Sequence, residues 1–168
     1  GWCDSLHVLL KSYFDNGLTI DFCYDDIRAK GVRLITSGGK APGPQPLKDL
    51  HHNVRKLLDG KEEGSKLSSI DCHFLCCYIA DCVLSGGIRR AAMIALFDFD
   101  DEEMISCKFS NWWEKNPQLA RANNSAVILR HKIQKKEFFD FWKKIELSNA
   151  GYPGIYWSNS PDLLSIPC

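Results

Sequence analysis

Apolar residues fall into helix-like and strand-like spacings along most of this chain. Leu6, Leu9, Leu10 and Tyr13 share one helical face and predict a helix over residues 3–14, ended by Asn16-Gly17. Leu18, Ile20, Phe22 and Tyr24 alternate, which predicts a short strand. Three prolines and three glycines between Thr36 and Pro46 exclude regular structure there. A helix follows through Leu47, Leu50, Val54, Leu57 and Leu58, then a charged loop over 59–66. Ser68 with Asp71 forms a capping-box pattern before a helix reaching Leu84. From Ile70 onward that helix is apolar nearly all round, which predicts burial on all sides.

Gly86-Gly87 stops this helix, and Ile88 to Phe97 reads as a strand. Its unbroken apolar run from Ala91 predicts a strand covered on both faces. Asp100-Asp101 can cap a helix through Met104 and Cys107. Residues 125–129 predict a strand, Lys135 to Leu147 a helix carrying Phe138, Phe141, Trp142 and Ile145, and 154–158 a last strand. Alternating helices and strands predict an α/β fold with parallel strands, at 91–97, 125–129 and 154–158, in one sheet. Ligands of such sheets gather beyond the carboxyl ends of the strands. The segments after Phe97, Leu129 and Ser158 are therefore where chemistry is expected, and a Pro167-Cys168 tail follows the last of them.

The 168 residues are 45% hydrophobic, enough for one core. Lys and Arg balance Asp and Glu at 21 each, so no basic footprint for nucleic acid or charged membrane is present. No apolar run approaches the ~20 residues of a membrane helix. The chain begins at Gly1-Trp2 inside a helical pattern, without an initiator Met or a signal peptide, and reads as a piece of a longer polypeptide. Four of its eight cysteines crowd into Cys72–Cys82 on one helix, a spacing of reduced cytoplasmic thiols rather than of a disulfide framework.

Several clusters could carry chemistry, and each has a plainer alternative. Gly38-Gly39-Lys40 offers backbone N–H groups to a phosphate, or simply a rigid surface turn. Gly86-Gly87 with Arg89-Arg90 offers close approach and guanidiniums to a phosphate, or a helix end with ion-paired arginines. Cys72, His73, Cys76, Cys77 and Cys82 suggest zinc. Four ligands on one helix cannot close a tetrahedron, so reduced, metal-free and mostly buried thiols are expected instead. Trp112-Trp113 could stack a base or pack under a long loop. Arg121-Ala-Asn-Asn124 is a polar loop before a strand, and Cys168 a possible nucleophile without an evident base.

Three runs, Gly86-Gly-Ile-Arg-Arg-Ala-Ala-Met-Ile-Ala-Leu-Phe97, Ala120-Arg-Ala-Asn-Asn-Ser-Ala-Val127 and Gly154-Ile-Tyr-Trp-Ser-Asn159 with its Pro-Cys end, appear in the order found in ribonucleotide reductases. With Ser37-Gly-Gly-Lys-Ala-Pro-Gly-Pro-Gln-Pro-Leu47, the chain resembles the catalytic subunit of that family, most closely the adenosylcobalamin-dependent class. The resemblance implies about half of a ten-stranded α/β barrel. Residues 1–168 would run from the effector-site helix to the start of the finger loop bearing the radical cysteine.

It implies Cys168 as the thiyl position and reduction of ribonucleotides to deoxyribonucleotides. Asp4 and Arg28 become contacts of a deoxynucleoside triphosphate effector. Arg121, Ala122, Asn123, Asn124 and Ser125 become the loop relaying effector identity to the substrate base. Gly38, Gly39, Gly86, Gly87 and Arg89 become phosphate or backbone contacts. Adenosylcobalamin would be held mainly outside this chain, the alternative being a radical from a separate metal-containing subunit. A thiol reductant such as thioredoxin would supply electrons through cysteines elsewhere. The family's Asn-Pro-Cys reads Ile166-Pro167-Cys168, and the glutamate expected two residues on lies past the end. The alternatives are a metal-dependent diphosphate reductase, a nucleotide-binding module without activity, or a small zinc-binding interaction domain.

Overall fold

In the computed structural model, residues 1–36, 38–85 and 91–165 are described. They divide into two compact units, one of residues 1–66 and 78–91 and the other of residues 67–77 and 92–168. In the first unit α1 spans Trp2–Lys11 and continues as a π-helical turn, Ser12–Asn16, before Gly17 at φ 60°. Helix α2, Gln45–Asp59, starts with Pro46 inside its first turn, where the missing N–H costs nothing. Its buried Leu47, Leu50, Val54 and Leu58 follow the helical stripe expected of them.

The strand expected over 18–24 does not form. That segment is irregular and side chains fix it: Phe22 stacks on His51 at 4.1 Å and Arg55 donates to the Ile20 carbonyl. Alternation alone cannot build a strand where no neighbour offers a ladder. Arg33 is bridged to Lys40, with Leu34 N–H donating to Gly39 O and Ala41 N–H to Val32 O. Gly38 and Gly39 have φ of 71° and 76°, a conformation that favours glycine.

Helix α3, Ser69–Leu84, contributes its start to the second unit and its end to the first. The capping box forms, with Ser68 N–H donating to Asp71 Oδ2 at 3.0 Å and Asp71 N–H to Ser68 Oγ at 3.4 Å. Burial on all sides does not follow, because Cys72, Cys76, Ile79 and Val83 are exposed. A uniformly apolar helix marks no preferred face, and here only the positions meeting a neighbour are covered.

The second unit is built on three parallel strands, β1 (Met93–Asp98), β2 (Ala122–Leu129) and β3 (Gly154–Ser158), in the order β1-β2-β3. This is the α/β arrangement the helix–strand alternation predicts. Helix α4, Glu102–Ser106, follows β1, with Asp101 accepting from Met104 N–H as its cap. Helix α5 (Trp112–Lys115) and a 3-10 turn (Pro117–Arg121) lead into β2, and α6 (Lys135–Ser148) connects β2 to β3. Gly154 permits the close pairing of β3, since a Cβ there would lie 3.0 Å from Ser125 Oγ.

Strand β2 alternates strictly: Ala122, Asn124, Ala126 and Ile128 are buried, and the residues between them are less so. Ala126 and Ile128 join Phe97, Met104, Ile105 and Phe141 in the main core, with Ile70 of α3 packed against it. The opposite face, with Ile94, Leu96, Val127 and Leu129, is half-buried, so the sheet is not covered on both faces as the apolar run suggested. Ile128→Ala should cost about 2–5 kcal/mol, because a fully buried central side chain leaves a cavity when shortened. Chemical denaturation of the variant checks this.

Candidate functional site

Beyond the carboxyl ends of β1 and β2 lies a groove of about 520 Å³. Leu96, Asp98, Asp100, Val127 and Leu129 line it, together with Pro161 and Leu164 from the segment after β3. Strand polarity puts it there: all three parallel strands end on the same side, and the chain leaves β3 along that rim. These are the three segments in which the sequence pattern located chemistry.

At the opposite, amino-terminal end of β2 is a buried polar cluster that the pattern did not single out. Lys108 is 1% exposed, and its Nζ donates to the Ala122 carbonyl. The ammonium also lies 4.2 Å from the Tyr152 ring centroid and 5.3 Å from that of Trp112, distances suited to cation–π attraction. Burial lowers the Lys108 pKa, and the neighbouring Cys107 and Cys77 thiols pull it partly back. Asn124 is buried on the same face of β2 as Ala122, and its Nδ2 donates to Cys107 Sγ at 3.2 Å. Burial, then the Lys108 charge, pushes His73 below the ordinary imidazole value, and the Asn124 side chain partly counters this. The signal for Lys108 was its spacing, four residues after Met104 and three after Ile105, which continues the buried side of α4 into the turn that follows it.

In the first unit His51 is 2% exposed between Ser5 and Tyr24. Ser5 Oγ lies 3.1 Å from Nε2 and the Tyr24 hydroxyl 2.8 Å from Nδ1. The group looks like a nucleophile with its base, but the proton count excludes this. The Ser5 hydroxyl donates to the Trp2 carbonyl at 2.8 Å, so Nε2 carries the hydrogen and donates to Ser5, leaving Nδ1 to accept from Tyr24. Such an imidazole cannot take the serine proton. Burial, then the Arg55 charge, holds its pKa down.

The sequence-derived candidates scatter over these features. Asp4 is 85% exposed in the first turn of α1. Arg28 lines a groove of about 410 Å³ with Trp2, Asp26, Leu34 and Pro42, and Asp4 is not part of that lining. Gly38 and Gly39 lie between the bridged Arg33 and Lys40. Arg121 ends the 3-10 turn, and Ala122, Asn123, Asn124 and Ser125 are not a loop but the first half of β2. The polar run looked like a connection, yet it pairs in register with Met93 to Leu96. Gly86, Gly87, Arg89, Ile166 and Cys168 lie outside the described residues.

The described cysteines form no disulfide, and Cys77 and Cys82 are buried. Cys72 and Cys76 are exposed, against the expectation that this group is mostly buried, because they share the uncovered side of α3. Among the described residues no group of three or more His, Cys, Asp and Glu could hold a metal ion, and no helix is long and apolar enough to cross a membrane. Trp112 packs on a small core of Cys77, Leu119 and Ala122, while Trp113 is half-exposed; both lie on α5 rather than under a long loop.

No family model and no solved structure matches the chain. Curated proteins do. The adenosylcobalamin-dependent ribonucleoside-triphosphate reductase of Euglena gracilis is 32% identical over 98% of this chain. A probable enzyme of the same name from Dictyostelium discoideum is 35% identical over 94%, and that of Lactobacillus leichmannii 37% identical over 77%. These proteins are homologues of the chain, which spans about a fifth of their length, 22%, 20% and 18% respectively.

Thiol chemistry and pH test this geometry. Alkylation of the folded chain should modify Cys3, Cys23, Cys72 and Cys76 rapidly. Cys77 and Cys82 should be spared, the latter also because burial pushes its thiol pKa up to about 11. Rapid labelling of Cys82 would contradict its placement. His51 and His73 both have folded pKa values below the unfolded one. The stability they contribute is complete above about pH 6.5 and is lost as pH falls through their folded values. Denaturation midpoints should therefore drop on acidification from about pH 7 to 5.5, above the main carboxylate range.

Proposed function

We infer that this chain, homologous over nearly its whole length to a segment of adenosylcobalamin-dependent ribonucleoside-triphosphate reductases, is part of the catalytic polypeptide of such an enzyme. The observation that carries this reading is the continuity of the match, 94–98% of the chain in two relatives. The complete protein would convert ribonucleoside triphosphates to 2′-deoxyribonucleotides for DNA synthesis, in the cytoplasm, with thioredoxin-type thiols as reductant.

The fold supports a place in the wall of a barrel. Parallel strands in sequential order, one face packed on helices and the other presenting half-buried Ile94, Leu96, Val127 and Leu129, are what a half-barrel segment would contribute. The groove at the carboxyl ends has the size of a small-ligand site and is assigned to the nucleotide. Its lining segment 161–164 leads toward Cys168, assigned as the thiyl position. At the ribose, this chain's part is to orient the sugar and keep water from it.

Adenosylcobalamin does not fit the described residues. A corrin with its nucleotide tail is far larger than either groove, so its binding is assigned to the rest of the polypeptide. Asp4 on α1 and Arg28, which lines a groove together with Trp2 of α1, are assigned to the deoxynucleoside triphosphate effector. The 121–125 stretch is assigned to sensing nucleotide identity.

The full polypeptide supplied with adenosylcobalamin and a dithiol should release deoxyribonucleotide, and the 168 residues alone should release none. Cys168→Ser in the full enzyme should lower turnover by about three orders of magnitude or more, since a hydroxyl does not replace the thiyl. Asp4→Ala should weaken the effector's control of substrate choice more than basal turnover. Wild-type turnover in the Cys168→Ser enzyme would refute that assignment, and an unchanged effector response would remove Asp4.

A further inference from the structure

His51 of α2 is 2% exposed, and the proton count leaves it no role as a base. An apolar side chain would fill that space without polar groups to satisfy, so volume does not explain an imidazole there. What the ring adds is two directed bonds. Each starts a path that ends on the groove of about 410 Å³ lined by Arg28.

From Nε2 the path runs through α1. The imidazole donates to Ser5 Oγ at 3.1 Å, and Ser5 Oγ donates to the Trp2 carbonyl at 2.8 Å. Trp2 lines the groove. From Nδ1 the path runs through the 18–24 segment. The Tyr24 hydroxyl donates to Nδ1 at 2.8 Å, and the Tyr24 carbonyl accepts from Ile27 N–H at 3.1 Å. Ile27 and its neighbours Asp26 and Arg28 line the groove too. One buried ring thus ties together two separate stretches of chain, Trp2 and residues 26–28, that face the same groove. Phe22 stacks on the imidazole at 4.1 Å and restrains its rotation. The charged side chains on these rings, Arg55 over Phe22 and Lys48 over Tyr24, are both cations.

We propose that His51 is a positioning residue that sets the spacing of the groove walls at Trp2 and Arg28, and thereby the affinity for an anionic nucleotide held there. The proposal rests on assigning Arg28 to a deoxynucleoside triphosphate effector, and it names what holds the 26–28 wall in place. A groove whose walls are fixed in advance binds more tightly than one the ligand must order. Protonation of the ring removes the acceptor for the Tyr24 hydroxyl and adds a third positive charge. Burial, then the Arg55 charge, keeps the ring neutral to lower pH than a free imidazole. Affinity should therefore fall only below about pH 6.5.

The test uses the full-length enzyme carrying Tyr24→Phe, Ser5→Ala or His51→Leu, with Arg28→Ala beside them. Equilibrium dialysis gives the Kd of whichever deoxynucleoside triphosphate binds most tightly. At about pH 7.5, Tyr24→Phe and His51→Leu should raise that Kd about fivefold or more and Ser5→Ala about threefold, while effector-free turnover changes less. Amide exchange at 24–28 should accelerate in Tyr24→Phe and His51→Leu. Between about pH 7.5 and 5.5 the wild-type Kd should rise more steeply than that of Tyr24→Phe, which has no such bond to lose. Titration of the ligand's own phosphate is common to both.

Unchanged Kd and exchange in Tyr24→Phe and Ser5→Ala overturn the proposal, whether or not His51→Leu folds. So do parallel pH profiles for wild type and Tyr24→Phe. Losses of Tm and effector-free turnover that match the loss of affinity make the ring merely structural and overturn it as well. An unaltered Kd in Arg28→Ala sinks the effector reading instead. Exchange at 24–28 then decides the positioning role: acceleration upholds it, and no change removes it.

Discussion

The second unit depends on the alternation of β2. A parallel central strand must satisfy two neighbours along its edges and two environments across its faces, and β2 does both with one eight-residue run. Ala122, Asn124, Ala126 and Ile128 face the helices, where small residues at 122 and 126 let helices approach the backbone and Ile128 fills the remaining depth. The intervening residues face the side where the groove opens. A one-residue slip would exchange the faces, placing Asn123 and Ser125 in the core and Ile128 outside. Register therefore decides at once which residues fill the core and which line the groove.

That constraint explains which parts of the structure were legible in sequence. The helices were, because Leu47, Leu50, Val54 and Leu58 or Phe138, Phe141 and Ile145 repeat at helical spacing and carry identifiable starts. The caps at Ser68–Asp71 and Asp101 follow from local chemistry, since an exposed backbone N–H finds the nearest side-chain oxygen. The strand at 18–24 failed for the opposite reason: pairing needs a partner that no local pattern reveals. The entry of β2 was read as a loop because Asn123, Asn124 and Ser125 are polar. Burial of Asn124 is compensated by Cys107, seventeen residues earlier, which no window on the sequence captures. The carboxyl-end groove was anticipated in place, since strand polarity and connection fix it without reference to side chains.

Buried polar groups divide into two kinds in this protein. His51 is satisfied on both nitrogens and stays neutral, so its network holds α1, the 18–24 segment and α2 in one arrangement at little electrostatic cost. The Lys108 cluster instead keeps a charge. Ring faces of Tyr152 and Trp112 and the Ala122 carbonyl compensate the ammonium, and Asn124 Nδ2 donates to the Cys107 thiol beside it. Burying a charge in this way costs stability that an apolar side chain of similar volume would not.

The location of that cost is informative. It falls at the start of β2, while the hydrophobic core at Ala126 and Ile128 is complete. The entry of β2 is held by its ladder with β1, by the small core of Cys77, Leu119 and Ala122, and by the directed bonds at residues 107 and 108. Local rearrangements arise where few apolar contacts oppose them. The middle of β2, packed with Phe97 and Phe141, is thus supported by the larger core and its entry by the smaller one. Two supports, one large and apolar, the other smaller and partly polar, lie along one strand, and residues 107 and 108 belong to the second.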